Sequence, residues 1–334
     1  MERILEVQDL VTKFYSTDGT VHAINGVTFN LDQGETLGVV GESGSGKSVT
    51  MMSLVGLIPM PPGKIEGGTA TFFETDGQSI ELLGLSDREK QHVRGGKIGF
   101  IFQDPLSSLN PTMPIGKQIA ESMVLHRGVS DAVAKKETIK LLNAVGIADA
   151  PRRFGSYPHE FSGGMRQRVM IAIAMAGNPQ IVIADEPTTA LDVTVQAQIM
   201  QLMKDLQGQM GMTVVWISHD LGVVAGLADR VLVMYGGTIV EDALVDDLYE
   251  NPRHPYTIGL LGAIPSLDNV GEERLVSIEG QPPNLREELT LCPFAPRCPY
   301  VMDRCWEELP LLREAGPKHR VACFFDVVEG IAIT

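Results

Sequence analysis

The sequence predicts an α/β protein in which a parallel β-sheet is flanked by helices. An apolar run, Thr36 to Val40, ends in a glycine-rich turn and is followed by a helical stretch from Lys47 to Leu57. Two further runs, Ile181 to Ala184 and Thr213 to Ile217, are rich in β-branched residues and end in polar residues, as buried parallel strands do. Strands that alternate with helices predict this layered architecture.

The composition predicts a globular protein with a substantial core. Of the 334 residues, 44% are hydrophobic and 21% charged, which argues against a disordered or fibrous chain. The formal net charge of −15 argues against general affinity for nucleic acid or for anionic membrane surfaces. The longest strongly apolar run, Val169 to Gly177, is too short to span a bilayer, and the N-terminus lacks the order of a secretory signal. We therefore expect a cytoplasmic protein.

A phosphate-binding loop follows the first of these strands. Residues 41–48, GESGSGKS, fit the pattern G-x-x-x-x-G-K-S in full, and their glycines let backbone N–H groups and a helix N-terminus face phosphate oxygens. Lys47 is predicted to reach the β- and γ-phosphates, and the Ser48 hydroxyl to bind Mg²⁺. The predicted nucleotide contacts of the loop are Gly41, Ser43, Gly44, Ser45, Gly46, Lys47, Ser48 and Val49.

Two adjacent carboxylates follow the strand Ile181 to Ala184. Asp185 and Glu186 are expected at its C-terminal end, where ligands collect in open α/β sheets. Asp185 is placed to hold the Mg²⁺ shell, whereas Glu186 can reach the water that attacks the γ-phosphate. Taken alone, such a pair more often lies in a solvated loop, but with the phosphate loop present we predict that Glu186 is the general base.

Two other regions differ from the α/β pattern. The stretch from about Pro105 to Phe161 is interpreted as a helical insertion. In it, Asp131 to Val145 is predicted to be a helix that ends at Gly146. The apolar face of that helix is predicted to comprise Val133, Leu141, Leu142 and Val145. After about Asp246 the sequence becomes rich in proline and contains every cysteine, which predicts a separate C-terminal appendage.

A Ser-Gly-Gly turn opens a helical run ahead of the carboxylate strand. The stretch Phe161 to Arg168, FSGGMRQR, resembles the signature sequence of ABC-type ATPases, in which this turn faces the γ-phosphate of ATP bound to the opposite subunit. Small residues at a helix N-terminus form an anion site. Met165 stands where the commonest signature has Gln, as is familiar in the peptide-importer branch. The residues that would face the ATP of a second subunit are Ser162, Gly163 and Gly164.

Three further motifs resemble those of the same family and occur in the family's order. They are the Q-loop at residues 102–104, the D-loop at Ala190-Leu191-Asp192 and the switch histidine at residues 218–220. The resemblance implies that Gln103 senses Mg²⁺ and the attacking water, and that His219 contacts the γ-phosphate. It also implies that Asp192 faces the ATP of the second subunit. Phe14, or Tyr15 beside it, stands where the family stacks an aromatic ring on adenine; a core aromatic is the alternative.

The resemblance covers about residues 3–265 and narrows to the ATPases of oligopeptide and dipeptide importers. The assignment to this branch depends on two stretches of sequence. They are ADEPTTALDVTVQAQ at 184–198 and HPYT at 254–257, which is followed by Leu260, Leu261 and Ala263 to Pro265. It implies an ABC-type P-loop NTPase core at 1–250, with an antiparallel β N-terminal part and a helical subdomain at about 105–164. Residues 251–334 would form a small extension with a four-cysteine metal site.

The family's activity is ATP-driven transport, so the resemblance implies an ATPase that powers import of di- or oligopeptides through a separate permease. ATP would close an ATPase dimer and its hydrolysis reopen it. The expected partners are a second, related but non-identical ATPase chain, two transmembrane permease subunits and, indirectly, an extracytoplasmic substrate-binding protein. The chain would then lie on the cytoplasmic face of the membrane as a peripheral subunit, with no nucleic-acid partner.

Three alternatives are open. Similar ATPases serve importers of nickel chelates or short oligosaccharides. A soluble ABC-type ATPase acting on ribosomes or nucleic acid usually has paired ATPase domains, coiled coils or basic surfaces, which this chain lacks. A nucleotide-binding regulator without turnover would fit if the catalytic residues were missing, but Glu186 and His219 are both present.

The four cysteines suggest one shared centre. Cys292, Cys298, Cys305 and Cys323 lie within the last 43 residues, separated by five, six and seventeen residues. Structural disulfides are disfavoured in a reducing cytoplasm, and zinc sites usually have closer cysteine pairs. Four thiolates also suit a [4Fe-4S] cluster, which the resemblance to this importer branch favours. Zinc and unliganded thiols are the alternatives.

Overall fold

The computed structural model of the protein describes residues 2–74, 77–189, 191–264 and 278–332. Its strands are β1 (Arg3–Ser16), β2 (Gly19–Asp32), β3 (Thr36–Val40), β4 (Gly63–Phe73), β5 (Ser79–Glu81), β6 (Ile98–Ile101), β7 (Ile181–Asp185), β8 (Thr213–Ser218), β9 (Arg230–Tyr235), β10 (Thr238–Leu244), β11 (Arg313–Gly316), β12 (His319–Val321), β13 (Phe325–Asp326) and β14 (Ile331–Ala332). Its α-helices are α1 (Lys47–Leu54), α2 (Asp87–Val93), α3 (Pro105–Ser108), α4 (Ile115–Arg127), α5 (Asp131–Ala144), α6 (Ala150–Arg153), α7 (Gly163–Ala176), α8 (Val193–Met210), α9 (Leu221–Ala225), α10 (Val245–Glu250) and α11 (Pro255–Gly262). The chain divides into two compact units, Met1–Leu83 with Ser218–Thr334 and Gly84–Ile217.

The first unit opens with an antiparallel sheet in the order β2-β1-β4-β5. Alternating residues of β1 and β2, such as Val7 and its cross-strand partner Phe29, are buried on one face. This period of two is the pattern expected for a sheet that packs one face on a core. The antiparallel N-terminal part that the resemblance implies is confirmed.

A second group of strands in the first unit carries the phosphate loop. Strand β3 pairs in parallel with β9, and β10 pairs antiparallel with β9. All five residues of β3 are buried, which explains why this strand is apolar without alternation. Strand β12 pairs with β10, and β11 with β12, so the cysteine-containing extension adds strands directly to this group.

The second unit contains three parallel strands in the order β6-β7-β8. Every residue of β7 and β8 is buried, as the apolar runs in the sequence predicted. Helices α4, α5 and α7 pack against one another in this unit. The parallel strands and the flanking helices confirm the predicted α/β class.

The helical insertion is confirmed, with one correction inside it. Helices α3 to α6 lie between Pro105 and Arg153, and a 3₁₀ turn follows at Pro158–Glu160. The prediction that Val133 lies on the buried face of α5 is wrong, because its exposed fraction is 45%. Leu142 and Val145 are buried as predicted, and the buried face also includes Ala134 and Thr138, which follow an i, i+4 spacing with Leu142.

The described part of the chain contains no helix that is both long enough and apolar enough to cross a bilayer. Two residues named in the sequence motifs, Ala190 and Pro265, lie outside the described residues.

Candidate nucleotide-binding site

The phosphate loop in the first unit joins β3 to α1, and its backbone path requires glycine at two points. Gly41 has φ 149°, and a Cβ there would come within 2.2 Å of the carbonyl oxygen of Met234. Gly46, the residue before α1, has φ 100°, and its Cβ would lie 2.9 Å from the carbonyl oxygen of Ala23. Both positions combine a left-handed backbone with close contacts, so any side chain there would displace the loop.

Lys47 is buried and bonds to the loop that precedes it. Its Nζ donates to the carbonyl oxygens of Gly41 at 2.8 Å and Glu42 at 2.9 Å, and lies 3.5 Å from the Ser45 hydroxyl. The ammonium group therefore lies within the curve of the loop. The neighbouring residues Ser43 and Gly44 are exposed, and Ser48 and Val49 are half-buried at the start of α1.

The carboxylates follow β7 in the second unit. Asp185 is buried with 7% exposure, and Glu186 is half-buried. Glu186 has φ 45°, a left-handed conformation that costs a non-glycine residue on the order of 1 kcal/mol and is common at functional sites. Its backbone N–H donates to the carbonyl oxygen of Ile217, which fixes the turn against β8.

The structure brings Gln103 and Glu186 together. The Gln103 amide Nε2 donates to Oε2 of Glu186 at 3.0 Å, and the Thr189 hydroxyl donates to the same oxygen at 2.9 Å. Two donors on one carboxylate oxygen fix the orientation of the carboxylate group. The sequence analysis did not identify Thr189. Its position three residues after Glu186, within hydrogen-bonding reach if the chain turns there, could have indicated it.

The signature turn lies in the same unit at the start of α7. Ser162 is the N-cap, and its hydroxyl accepts from the backbone N–H of Met165 at 3.4 Å. A Cβ on Gly164 would lie 2.9 Å from a methyl group of Val195 in α8. Asp192 caps α8 by accepting from the backbone N–H of Val195 at 3.0 Å. Val195 thus lies beside both predicted second-subunit motifs, and a side chain at position 164 would require Val195 to shift.

Two further predicted residues belong to the first unit. His219 is exposed directly after β8, and the neighbouring Asp220 caps α9 by accepting from the Gly222 backbone at 2.8 Å. Phe14 is half-buried on β1, whereas Tyr15 is 44% exposed and donates its hydroxyl to Glu66 at 3.0 Å. The adenine-stacking role of Phe14 stays a prediction.

The four cysteines are free thiols in the extension. Cys305 is buried together with Ala295 and Phe324, and Cys292 packs against this cluster. Burial, with a smaller contribution from the neighbouring thiols, raises the pKa of Cys292 to about 11 and that of Cys298 to about 12. Within the described residues, no three Cys, His, Asp or Glu side chains are arranged to hold a metal ion. Four thiols are nevertheless a donor set that suits zinc or an iron–sulfur cluster.

Comparison with known proteins adds two family matches. A family model described as "ABC transporter" matches residues 24–189. A second, described as "Oligopeptide/dipeptide transporter, C-terminal region", matches residues 240–305.

Individual proteins match over most of this chain. The oligopeptide transport ATP-binding protein OppD of Bacillus subtilis is 52% identical, over 96% of this chain and 88% of that protein. The dipeptide transport ATP-binding protein DppD of the same organism is 48% identical, over 97% of this chain and 95% of that protein. A solved dimeric structure of the ATP-binding cassette MJ0796 bound to ADP and Pi is 29% identical, with a TM-score of 0.63, over 72% of this chain and 99% of that one.

Proposed function

The chain belongs to the ABC transporter ATP-binding family, in the branch of the oligopeptide and dipeptide transporters, and on that basis we propose that it hydrolyses ATP to power uptake of di- and oligopeptides through a separate permease. The observation that carries this proposal is that relatives named for peptide transport match nearly the whole chain, including its C-terminal region. Nickel-chelate or oligosaccharide import is not favoured, because the first relatives are named for peptides.

ATP binds, in this proposal, at the phosphate loop of the first unit. Phosphate oxygens entering the loop replace the carbonyl acceptors that now bind Lys47 Nζ, and the ammonium then neutralises part of the β- and γ-phosphate charge. Ser48, Gln103 and Asp185 are the residues that would hold Mg²⁺, which supplies further charge neutralisation at the transferring phosphoryl group. Phe14 would stack on the adenine ring and His219 would contact the γ-phosphate.

Glu186 is proposed as the general base of hydrolysis. A base must hold one orientation toward the attacking water, and the hydrogen bonds from Gln103 and Thr189 hold its carboxylate. General bases contribute about 10²- to 10⁴-fold in rate. Gln103 is a positioning residue for this base as well as a proposed Mg²⁺ ligand.

A second ATPase subunit, which we propose to be a related chain, would complete the site. The turn formed by Ser162, Gly163 and Gly164 begins a helix of 14 residues, whose N-terminal N–H groups favour an anion. With Asp192, this turn would face the ATP of the second subunit. The likeness to a dimeric cassette bound to ADP and Pi supports this arrangement.

We propose that the permease docks on the helical subdomain of the second unit, so that the chain would lie at the cytoplasmic face of the membrane. A groove of about 660 Å³ there is largely apolar, and its Leu125 side chain is 65% exposed. Its lining residues are Met113, Lys117, Ala120, Glu121, Val124, Leu125, Asp131, Lys135 and Phe154. An apolar groove bordered by both signs of charge suits an amphipathic segment of a partner.

The extension is proposed to hold a [4Fe-4S] cluster on Cys292, Cys298, Cys305 and Cys323, with Zn²⁺ as the alternative. This proposal is supported by four free thiols in the extension, of which Cys305 and Cys292 pack in one cluster. The cluster would stabilise the extension, because metal binding orders the segments that supply the ligands.

Reconstitution tests the transport function directly. The chain is combined with a second ATPase subunit, the permease and its binding protein in proteoliposomes, and uptake of labelled di- and oligopeptides is measured. We expect uptake that requires ATP and is lost in the Lys47→Ala variant. Uptake of nickel chelates or oligosaccharides without peptide uptake would contradict the peptide assignment.

A further inference from the structure

Glu42, the second residue of the phosphate loop, is bonded by the C-terminal part of the chain as well as by the loop itself. Its carbonyl oxygen accepts from Lys47 Nζ at 2.9 Å and from the Ser45 backbone N–H at 3.2 Å. Its backbone N–H donates to the hydroxyl of Tyr256 in α11 at 2.8 Å. Its carboxylate binds Arg297 in the extension.

Arg297 binds the Glu42 carboxylate through two parallel hydrogen bonds. Nη1 lies 2.7 Å from Oε2 of Glu42 and Nη2 lies 3.0 Å from Oε1, a bidentate pair. The remaining three N–H donors bind the Tyr235 hydroxyl and the carbonyl oxygens of Ile278 and Glu279. All five donors are therefore used, and the side chain is only 3% exposed. The hydrogen bonds to Glu42 raise the pKa of Arg297, so its charge is permanent.

From these contacts we infer that Arg297 is a positioning residue for ATP binding, through which the C-terminal extension holds and neutralises Glu42 in the phosphate loop. The inference rests on the proposed binding of ATP at that loop.

Two physical effects follow from the pair. The first is charge: a bare carboxylate in the loop would repel a triphosphate, and Arg297 cancels that charge. The second is geometry, because the carbonyl group that binds Lys47 and the carboxylate that binds Arg297 belong to the same residue. Without Arg297, Glu42 is free to turn, and the loop loses one of its supports.

A second ion pair provides a matched control. Arg253, just before α11, pairs within the extension with Asp326 at 3.3 Å. Neither residue contacts the phosphate loop through the hydrogen bonds described for them. Arg253→Met should therefore remove an ion pair inside the extension while leaving nucleotide affinity within about twofold.

The experiment measures the affinity of the full chain for Mg-ATP by calorimetry in four variants. We expect Arg297→Met to raise Kd about tenfold or more, as misplacement of a binding loop does. Glu42→Gln loses the repelling charge together with the ion pair, so it should raise Kd less than Arg297→Met does. The double variant Arg297→Met/Glu42→Gln should likewise bind Mg-ATP more tightly than Arg297→Met alone, because no bare carboxylate faces the triphosphate. A purely structural role would give no such recovery.

Several results would overturn the inference: an unchanged Kd in Arg297→Met, equal weakening by Arg253→Met, or a double variant no tighter than Arg297→Met alone. If Arg297→Met does not fold, Arg297→Lys replaces it, because it keeps the charge but loses the bidentate fork, and an intermediate Kd is expected. Failure of the unaltered chain to bind Mg-ATP would overturn the proposed function instead.

Discussion

The side chain of Gln103 donates a 3.0 Å hydrogen bond to the carboxylate of Glu186, although the two residues lie 83 positions apart in the sequence. Gln103, which is predicted to sense Mg²⁺, thus orients Glu186, which is predicted to be the general base. The Thr189 hydroxyl shares the same oxygen. Changes at Gln103 should therefore affect the chemical step more than the binding of ATP.

Gln103→Ala should lower the rate of ATP hydrolysis about tenfold to a hundredfold, because Glu186 loses a hydrogen bond that orients it. The Kd for Mg-ATP should rise by less, because Ser48 and Asp185, the other proposed Mg²⁺ ligands, remain. Gln201→Ala is the matched control, since Gln201 makes a similar 2.8 Å bond to the carboxylate of Asp205 on α8. Steady-state turnover and calorimetry separate the two effects. An equal loss of affinity and rate would contradict an orienting role.

Lys47→Ala should weaken the binding of Mg-ATP itself, because the ammonium group is the main cation of the loop and lies within its curve. We expect a rise in Kd of at least about tenfold by titration. Lys140→Ala, which removes a surface lysine paired with Glu137, should leave the Kd unchanged. Similar affinities for the two variants would argue against the loop as the phosphate site.

Acidification should destabilise the first unit through His254. Burial lowers the pKa of His254 to about 4, whereas the unfolded chain titrates near the ordinary value of 6.5. The unfolded state therefore binds more protons between these values, so the stability is present above pH 6.5 and is lost as the pH falls toward 4. The expected loss between pH 6.5 and 5 is about 2 kcal/mol, at about 1.4 kcal/mol per unit.

Denaturant unfolding at several pH values checks this prediction. His254 also caps α11, because its Nδ1 accepts from the Tyr256 backbone N–H at 3.0 Å. His254→Asn keeps a capping acceptor without a titrating group, so its stability should depend less on pH. An equally steep dependence in the variant would assign the effect to other groups.

Metal analysis distinguishes the states of the four cysteines. Anaerobically purified protein should contain about four iron and four sulfide per chain and show the brown absorption of a cluster. Cys298→Ser should lose most of the iron, and its extension should unfold at lower temperature. One zinc per chain without sulfide would show that the cysteines bind Zn²⁺ and not an iron–sulfur cluster. No metal at all would contradict both proposals.

The sequence predicted the parts of the site that depend on local pattern. The phosphate loop, its following helix and the buried runs of β3, β7 and β8 each follow from short stretches whose physics is local. The prediction failed at Val133, because the apolar pattern of α5 was ambiguous by one position and the small residues Ala134 and Thr138 are part of the buried face.

Contacts between distant segments could not be predicted from the sequence pattern. Arg297 and Glu42 are 255 positions apart, and no periodicity or propensity couples an arginine beside a cysteine to a loop acid. The pairing arises only in the folded chain, where Arg297 also binds the hydroxyl of Tyr235 at the end of β9. Thr189 is a similar case, because its role depends on the turn that follows β7.

The most direct test of the central claim is sustained ATP hydrolysis by the Glu186→Gln variant, measured with a second ATPase subunit and compared with the unaltered chain. We predict normal binding of Mg-ATP, turnover reduced by at least about 10²-fold and an accumulated ATP-bound dimer on size-exclusion chromatography. Hydrolysis at the rate of the unaltered chain would contradict the assignment of Glu186 as the base of an ABC-type ATPase.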